Sequence, residues 1–495
     1  MRRILGFALM LVLILSLTSP AFAINPYMPL WEHIPDGEPH VFGDRVYIYG
    51  SHETLPDRDC GPDYKVWSAP LSDLTDWTDH GVCFYGGEGS GYLLAPDVVQ
   101  GLDGKYYMYT YGRCEQAGNT PDEGMWGNFR GLVMVADQPE GPFEYIGEMT
   151  LNGQPFRIFD PAMIMDDGRL FLFGGNVGTC LIYELDTNDM MTIIDGPYTL
   201  EEEISNDGGS SGGSPQIDFF EGASIRKIGD TYVFVFAAKH ETSSKWVPTV
   251  AHACDGYTGT LEYATSKSIY GPYKYGGVLI DIGGDVVGTS SCGQMQRSNY
   301  NGNTHGSLFE AEGQWYITYH RQTSDNQRRR QACMDPVDLQ IVDGDVVIKQ
   351  AERTMNGAEL DGVNAQQKLP AAYADYLTNE AIIDSNDVTP YNENSRIVDV
   401  TNSVVIGFRY LNFEAGEYTV SVDVLPLGVA GVITVELDDP ASAPIARLEI
   451  PAEGDGIVTL TAPAGQIEGK HGVYFNFYAI SEANICEFNA FEFSK

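Results

Sequence analysis

Four ionisable residues stand eleven positions before an aromatic one: Asp36 before Tyr47, Asp160 before Phe171, Glu221 before Tyr232 and His305 before Tyr316. A fifth, Asp97, stands ten positions before Tyr107. Carboxylates gathered in one place repel one another, so at least one has a raised pKa and keeps its proton near neutral pH. A protonated acid facing an ionised carboxylate is the pairing that cleaves a glycosidic bond. One group protonates the leaving oxygen; the other activates water or attacks the anomeric carbon. Glu221, in Phe219-Phe220-Glu221-Gly222-Ala223, has an apolar setting that raises a carboxyl pKa and suits the acid. Asp36, in Ile34-Pro35-Asp36-Gly37-Glu38-Pro39, sits on a backbone fixed by Pro and Gly and suits the base. Taken singly, an Asp-Gly or Glu-Gly pair reads as a turn; recurrence at a fixed offset separates this group from ordinary turns. His305, in Asn303-Thr304-His305-Gly306-Ser307, is open to two readings, a metal ligand or a hydrogen-bonded structural histidine. One imidazole is a weak metal signal, and hard cations such as calcium favour oxygen ligands.

What must position these groups is a repeat. Each aligned aromatic lies in a segment where a Gly or Asp turn leads into alternating aromatic and aliphatic residues. Gly43–Tyr49, Asp103–Tyr109, Asp167–Phe173, Gly229–Val235 and Glu312–Thr318 share this form. Each reads as the turn and second strand of a hairpin. The spacings between Tyr47, Tyr107, Phe171, Tyr232 and Tyr316 are 60, 64, 61 and 84 residues. A period near 60 with several short strands per unit predicts an all-β, five-bladed β-propeller over about residues 26–350. The first strand of each blade lines the propeller axis, so the five ionisable groups converge at one end of the channel.

The chain has 495 residues with a formal net charge of −40, which disfavours phosphate backbones and anionic membrane surfaces as partners. Residues 1–23 carry a basic start (Arg2, Arg3), an apolar run from Ile4 to Leu17 and a small-x-small site at Ala21-Phe22-Ala23. This predicts a cleaved signal peptide and a secreted, bacterial exported protein. Eight cysteines in so long a chain, with no CxxC or zinc spacing, predict buried or partly paired thiols and no catalytic cysteine. Residues 351–395 read as a polar connector packed on the propeller. Residues 396–495 alternate with even turn spacing, as in Gly416–Val424 and Gly431–Leu437, and predict a β-sandwich.

The chain resembles glycoside hydrolase family 43, five-bladed propeller enzymes acting on arabinose- and xylose-containing plant polysaccharides. The resemblance rests on Ile34–Pro39 followed by Tyr47–His52, on Ala95-Pro96-Asp97-Val98-Val99, on Phe159-Asp160-Pro161 with Asp166-Asp167-Gly168, on Phe220–Ser224, and on Thr304–Ser307 with Tyr319-His320-Arg321. It implies Asp36 as general base, Asp160 as the carboxylate that tunes and orients the acid, and Glu221 as general acid, in a single displacement with inversion. It places His305 where many members hold a buried calcium through imidazole and water, and implies no organic cofactor. Two positions depart from the family's pattern: Leu93-Leu94 stands where Trp is frequent, and Glu221 is followed by Gly-Ala rather than Gly-Pro. The final region is similar to carbohydrate-binding module family 6, a jelly roll. It has no Trp, so sugar contact there falls to Tyr410, Tyr474 or Tyr478.

The expected substrate contacts in the pocket are Asp97, Trp126, Trp246 and Arg321, the two Trp lying in loop-like sequence where an indole face can stack on a sugar ring. The expected partner is a plant cell-wall polysaccharide or its oligosaccharides, with no nucleic acid and no membrane after signal cleavage. Two competing readings are a retaining fructan or sucrose hydrolase and a propeller that binds carbohydrate without turnover. The first needs a nucleophilic Asp in an Asn-Asp-Pro setting, which Asp36 lacks; intact Asp36, Asp160 and Glu221 speak against the second.

Overall fold

The structure is a computed structural model that describes residues 24–54, 60–88, 91–120, 128–175, 178–200, 217–240, 246–247, 257–289, 295–300, 302–323, 328–379, 381–384 and 395–495. Residues 1–23, expected to be a signal peptide, and Trp126 lie outside the described residues, and so does the side chain of Trp246.

The alternating segments fold as five blades. Blade one pairs Glu38–Phe42, Arg45–Tyr49, Asp63–Pro70 and Thr78–Tyr85 in that order. Blade two is Tyr92–Gln100, Tyr106–Arg113, Arg130–Ala136 and Glu144–Glu148. Blade three runs outward from Ala162–Asp166 through Arg169–Gly175, Cys180–Leu185 and Thr192–Thr199, with the small hairpin Thr150–Leu151/Gln154–Pro155 added at its edge. Blade four is Phe219–Ile228, Thr231–His240, Tyr257–Ser266 and Lys274–Asp281. Blade five has three strands, Leu308–Ala311, Gln314–Gln322 and Arg330–Val337, followed by the hairpin Leu339–Val342/Asp345–Ile348. Each recurrent sequence segment is the second strand of its blade.

The alternation in those segments exists because both faces of every blade are buried. In Arg45–Tyr49, Tyr47 and Tyr49 enter the layer between blades one and two, beside Val98, Met108 and Met134. Val46 and Ile48 point the other way, into a layer with Phe309, Tyr316 and Met334 of blade five. Three further apolar layers join blades two and three, three and four, and four and five, which closes the ring. A fully buried side chain of this size stabilises by about 1.5–3 kcal/mol, so both faces have to stay apolar. Cys83, Cys114, Cys180, Cys333 and Cys486 are buried free thiols within these layers or the last domain.

The C-terminal region is a β-sandwich built around two long antiparallel strands, Val405–Pro426 and Val458–Ala479, bent by register shifts between Phe408/Leu411 and Phe413/Gly416. The segment read as a connector adds short strands to this sheet: Val363–Asn364, Leu369–Pro370, Tyr376–Leu377 and Ile382–Asp384. It also ties the sheet to the propeller. The Asn299 side-chain amide donates to the carbonyl of Asp375 at 2.8 Å, and Leu377 N donates to the carbonyl of Ser298 at 2.7 Å. Arg409 of the sandwich pairs with Asp375 at 2.6 Å and with Asp285 of the propeller at 2.6 Å. The N-terminal residues join both bodies: Ile24 belongs to the sandwich core, while Asn25 Nδ2 donates to the carbonyls of Met334 at 2.7 Å and Thr354 at 2.9 Å.

Candidate active site

Asp36 lies in the turn that enters the first strand of blade one, with φ 58°. Asp is among the few residues that accept this left-handed conformation. Its backbone N–H donates to His320 Nδ1 at 3.3 Å, and His320 Nε2 donates to the carbonyl of Asn303 at 2.8 Å. Those two bonds fix His320 as the neutral Nε2–H tautomer. Burial, then the charge of Arg330, push its pKa down to about 3. The carboxylate is held on both oxygens: Ser51 Oγ donates to Oδ2 at 2.7 Å and Arg330 Nη1 donates to Oδ1 at 2.9 Å. Blade two supports this through its backbone, since Ala95 N donates to Ser51 Oγ at 2.9 Å. Burial raises the Asp36 pKa. Arg330, the neighbouring histidines and the Ser51 hydroxyl outweigh it and hold the group below the ordinary aspartate range. Asp36 is therefore an ionised carboxylate in a buried place.

Asp160 also has a left-handed backbone, φ 45°, at the entry to blade three. Its environment acts in the opposite direction. Burial, then the charges of Glu221 and Asp36, raise its pKa well above the usual value, and the N–H of Gly222 donating to Oδ2 at 3.1 Å offsets only part of this. Glu221 follows in blade four, opposite Ala237, with register shifts on both sides of it, between Phe219 and Glu221 and between Glu221 and Ser224. Gly222 makes the bulge possible. Its φ is 64°, and a Cβ there would stand 3.2 Å from His305 Cγ and 3.2 Å from the carbonyl oxygen of Thr304. Asp160 and Glu221 thus form a repelling pair that retains a proton, across from a base that has lost its own.

Two expected substrate contacts are corrected. Asp97 is buried and saturated: Oδ1 lies 2.5 Å from His40 Nε2 and accepts from Val98 N at 2.6 Å, and Oδ2 accepts from Met163 N at 2.5 Å. The ladder explains its place. Asp36, Asp160 and His305 each stand four residues before the partner of the aligned aromatic, and in blade two that position is Ala95. Asp97 is level with Glu38, one layer down the channel. There Glu38, His40 and Asp97 bring ligand atoms within 4.8 Å of one another, but Arg226 already pairs with Glu38 at 2.7 Å, so the group is an internal charge network. Arg321 is likewise turned away from the pocket. It is buried, with its guanidinium on Gln331 Oε1 at 2.8 Å and the carbonyl of Ala372 at 2.7 Å, where it braces the connector. Neighbours on a strand face opposite sides, so His320 facing Asp36 sends Arg321 outward. The arginine of the site is Arg330, nine residues on and in the next strand.

His305 is buried, its ring against Gly222. The residues beside it offer oxygen: Asn303 Oδ1 and Thr304 Oγ1 are buried with no hydrogen-bond partner among the described residues. An imidazole next to open oxygen donors is a set that a hard cation completes with water, so the residues present fit calcium. Sequence reasoning had given no role to Ser51, Glu53, His320 or Arg330. His320 and Ser51 lay inside stretches that had been singled out, whereas Arg330 was hidden in the run Arg328-Arg329-Arg330.

Comparison with known proteins follows the same lines. The family model described as glycosyl hydrolases family 43 matches residues 32–342. The chain is 34% identical over 373 residues to a xylosidase/arabinosidase of Thermoclostridium stercorarium, covering 71% of each chain. It is 23% identical over 533 residues to an arabinoxylan arabinofuranohydrolase of Bacillus subtilis, covering 97% of this chain and 94% of that one. A crystal structure of a family 43 arabinoxylan arabinofuranohydrolase from Bacillus subtilis, in complex with cellotetraose, aligns over 96% of this chain and 98% of the other, at 20% identity and TM-score 0.49.

Proposed function

Because this chain belongs to glycosyl hydrolase family 43 and is a glycosidase, we propose that it is exported and removes α-L-arabinofuranosyl or β-D-xylosyl units from plant hemicellulose such as arabinoxylan, with inversion at the anomeric carbon. Glu221 donates its proton to the leaving glycosidic oxygen as the C–O bond breaks. Asp36 takes a proton from a water that attacks the anomeric carbon from the opposite face. The products are the free sugar of inverted configuration and the shortened chain, and solvent returns the proton from Asp36 to Glu221. Asp160 acts on Glu221 through its charge and through the N–H of Gly222, favouring the protonated acid and fixing its direction. The single observation that supports this division of labour is the opposed titration within one pocket. Arg330 holds Asp36 ionised, while burial, then the charges of Glu221 and Asp36, raise Asp160, so one proton stays on the Asp160–Glu221 pair. Acid and base roles separate where environments push pKa values apart. Substrate preference follows the named relatives, one a xylosidase/arabinosidase and one an arabinoxylan arabinofuranohydrolase.

Calcium would be held by His305, with Asn303, Thr304 and water, and would supply a fixed positive charge there. In the sandwich, Tyr474 is buried against Tyr376, which leaves exposed Tyr478 and partly exposed Tyr410 as the faces for a sugar. The test is hydrolysis of 4-nitrophenyl α-L-arabinofuranoside, 4-nitrophenyl β-D-xyloside and arabinoxylan, with the product anomer read by proton NMR before mutarotation. Release of the inverted sugar supports the reading. Release of the retained anomer overturns the mechanism, and no release from any of the three overturns the activity.

A further inference from the structure

Behind the base stands a second carboxylate that the reaction as written does not use. Glu53 follows the second strand of blade one and is 5% exposed. Its own N–H is tied to the carbonyl of His33 at 3.0 Å, which fixes the segment. Both carboxylate oxygens are taken by one residue: Arg330 Nε donates to Oε1 at 2.7 Å and Arg330 N donates to Oε2 at 2.8 Å. The same guanidinium reaches Asp36 with Nη1. One buried cation is therefore shared by two buried carboxylates that face it from adjacent segments, and only one of them touches the pocket.

We propose that Glu53 is a positioning residue for the base: it holds Arg330 in place on Asp36 and, by gaining or losing its own proton, sets how strongly Arg330 weakens that base. The inference rests on the reading of Asp36 given above. With Glu53 ionised, the Arg330 charge is divided between two anions and Asp36 is the stronger base. With Glu53 protonated, the whole charge falls on Asp36, which then binds a proton less readily and draws one from water less well. The two forms interconvert near neutrality. Burial raises Glu53 to about 7, the charge and hydrogen bonds of Arg330 opposing the rise and the charge of Asp36 adding to it. The other charged or titratable groups around the trio are few. They are His320 and Arg329 from blade five, His305 and the Asp160–Glu221 pair across the pocket, and His33, Glu32 and His52 from the segments flanking Glu53. His320 and His33 are pushed down, to about 3 and about 4, chiefly by burial. His52 is pushed up to about 9, the hydrogen bonds and charges of Asp63 and Glu32 outweighing burial. None of these three changes charge near pH 7, whereas Glu53 does.

The experiment is the pH dependence of kcat and KM for wild type, Glu53→Gln and Glu53→Asp on 4-nitrophenyl arabinofuranoside or xyloside from pH 5 to 9, with thermal unfolding of each variant measured alongside. Glu53→Gln keeps an oxygen for Arg330 Nε but cannot ionise. Its kcat is expected to fall about three- to tenfold at pH 8, the loss a modest drop in base strength gives, with little change in KM. It should converge on wild type at pH 5, where the wild-type Glu53 is protonated and as uncharged as the glutamine. Glu53→Asp, still ionisable, is expected to keep the wild-type step near neutral pH at a lower kcat. A loss in Glu53→Gln that is the same at every pH would mean a merely structural part for Glu53 and overturn the proposal. So would superimposable wild-type and Glu53→Gln profiles. A wild type silent on all substrates would instead overturn the glycosidase reading and this proposal with it, so the two failures are distinguishable.

Discussion

The N–H of Gly222 donates to Asp160 Oδ2 at 3.1 Å, so the residue next to Glu221 is bound to the carboxylate that repels Glu221. Blade three and blade four are thereby locked together at the acid. The electrostatic influence of Asp160 on Glu221 and the direction in which Glu221 points are set by one contact.

Glu221→Gln removes the proposed proton donor and, with it, the carboxyl group whose charge raises Asp160. The expected loss in kcat is about 10²–10⁴-fold on substrates with poor leaving groups, and much smaller on nitrophenyl glycosides whose phenolate leaves unaided. A series of aryl glycosides of graded leaving-group acidity checks this. A loss independent of leaving group would contradict the acid assignment.

Gly222→Ala places a side chain where φ is 64° and where its Cβ would stand 3.2 Å from His305. The left-handed backbone alone costs about 1–2 kcal/mol for a residue with a Cβ. The expected result is a lower unfolding midpoint and, because the bulge carrying Glu221 shifts, a fall in kcat larger than that in stability. Chemical denaturation and steady-state kinetics on the same preparation measure both.

Arg330→Met leaves Asp36 and Glu53 buried without their shared cation. Breaking a buried pair by removing one partner destabilises by about 3–5 kcal/mol. With the main term that lowers Asp36 gone, its pKa rises, so any residual activity should lose its acid limb at a higher pH than wild type. Urea unfolding and a pH–rate profile test the two halves separately.

Asp335, between blade five and the connector, gives a pH dependence unconnected with turnover. Burial raises it to about 7 against the hydrogen bonds of Thr354 and Tyr319 and the charge of Arg353. A carboxyl whose folded pKa lies above its unfolded value stabilises the fold below the unfolded pKa, and that contribution is lost as pH rises through the folded pKa. Wild type should therefore lose stability between about pH 4 and 7, the span between an ordinary carboxylate pKa and the raised one. Asp335→Asn should flatten that part of the curve. Thermal unfolding midpoints across pH 4–8 decide it.

The propeller was legible in the sequence because every blade buries both faces of its second strand. That requirement wrote Val46 and Ile48 against Tyr47 and Tyr49, and repeated the pattern five times. The eleven-residue offset worked for Asp36, Asp160 and His305 because a plain antiparallel ladder carries them to the same height. Glu221 reached the pocket by a different route, through bulges that counting residues does not reveal. Asp97 shows the limit of the same count. In blade two it stands only two residues before Val99, the partner of Tyr107, so the acid lands a layer too low, with Ala95 in the place it was expected to fill. Arg321 and Arg330 differ by which face of a strand they occupy relative to His320. Strand alternation could have separated them, but only once it was known that His320 faces the base. The pairing of Glu53 with Arg330 spans 277 residues and left no local signal.

The N-terminal residues add a constraint on how the molecule comes to exist. Asn25 is bonded to Met334, 309 positions later, and to Thr354, 329 positions later, and Ile24 is sealed in the core of the last domain. During synthesis Ile24 and Asn25 wait for these partners until most of the chain has appeared, although Tyr27 and Met28 can already pack on blade one. The ring then closes and the final domain seats in one late event. Contacts of such long range make folding slow. While it waits, the chain presents unpaired blade edges and apolar faces, the surfaces on which aggregation begins. Ile24 and Asn25 thus act as a late fastening of the fold, and the yield of native enzyme should fall the longer that fastening is delayed.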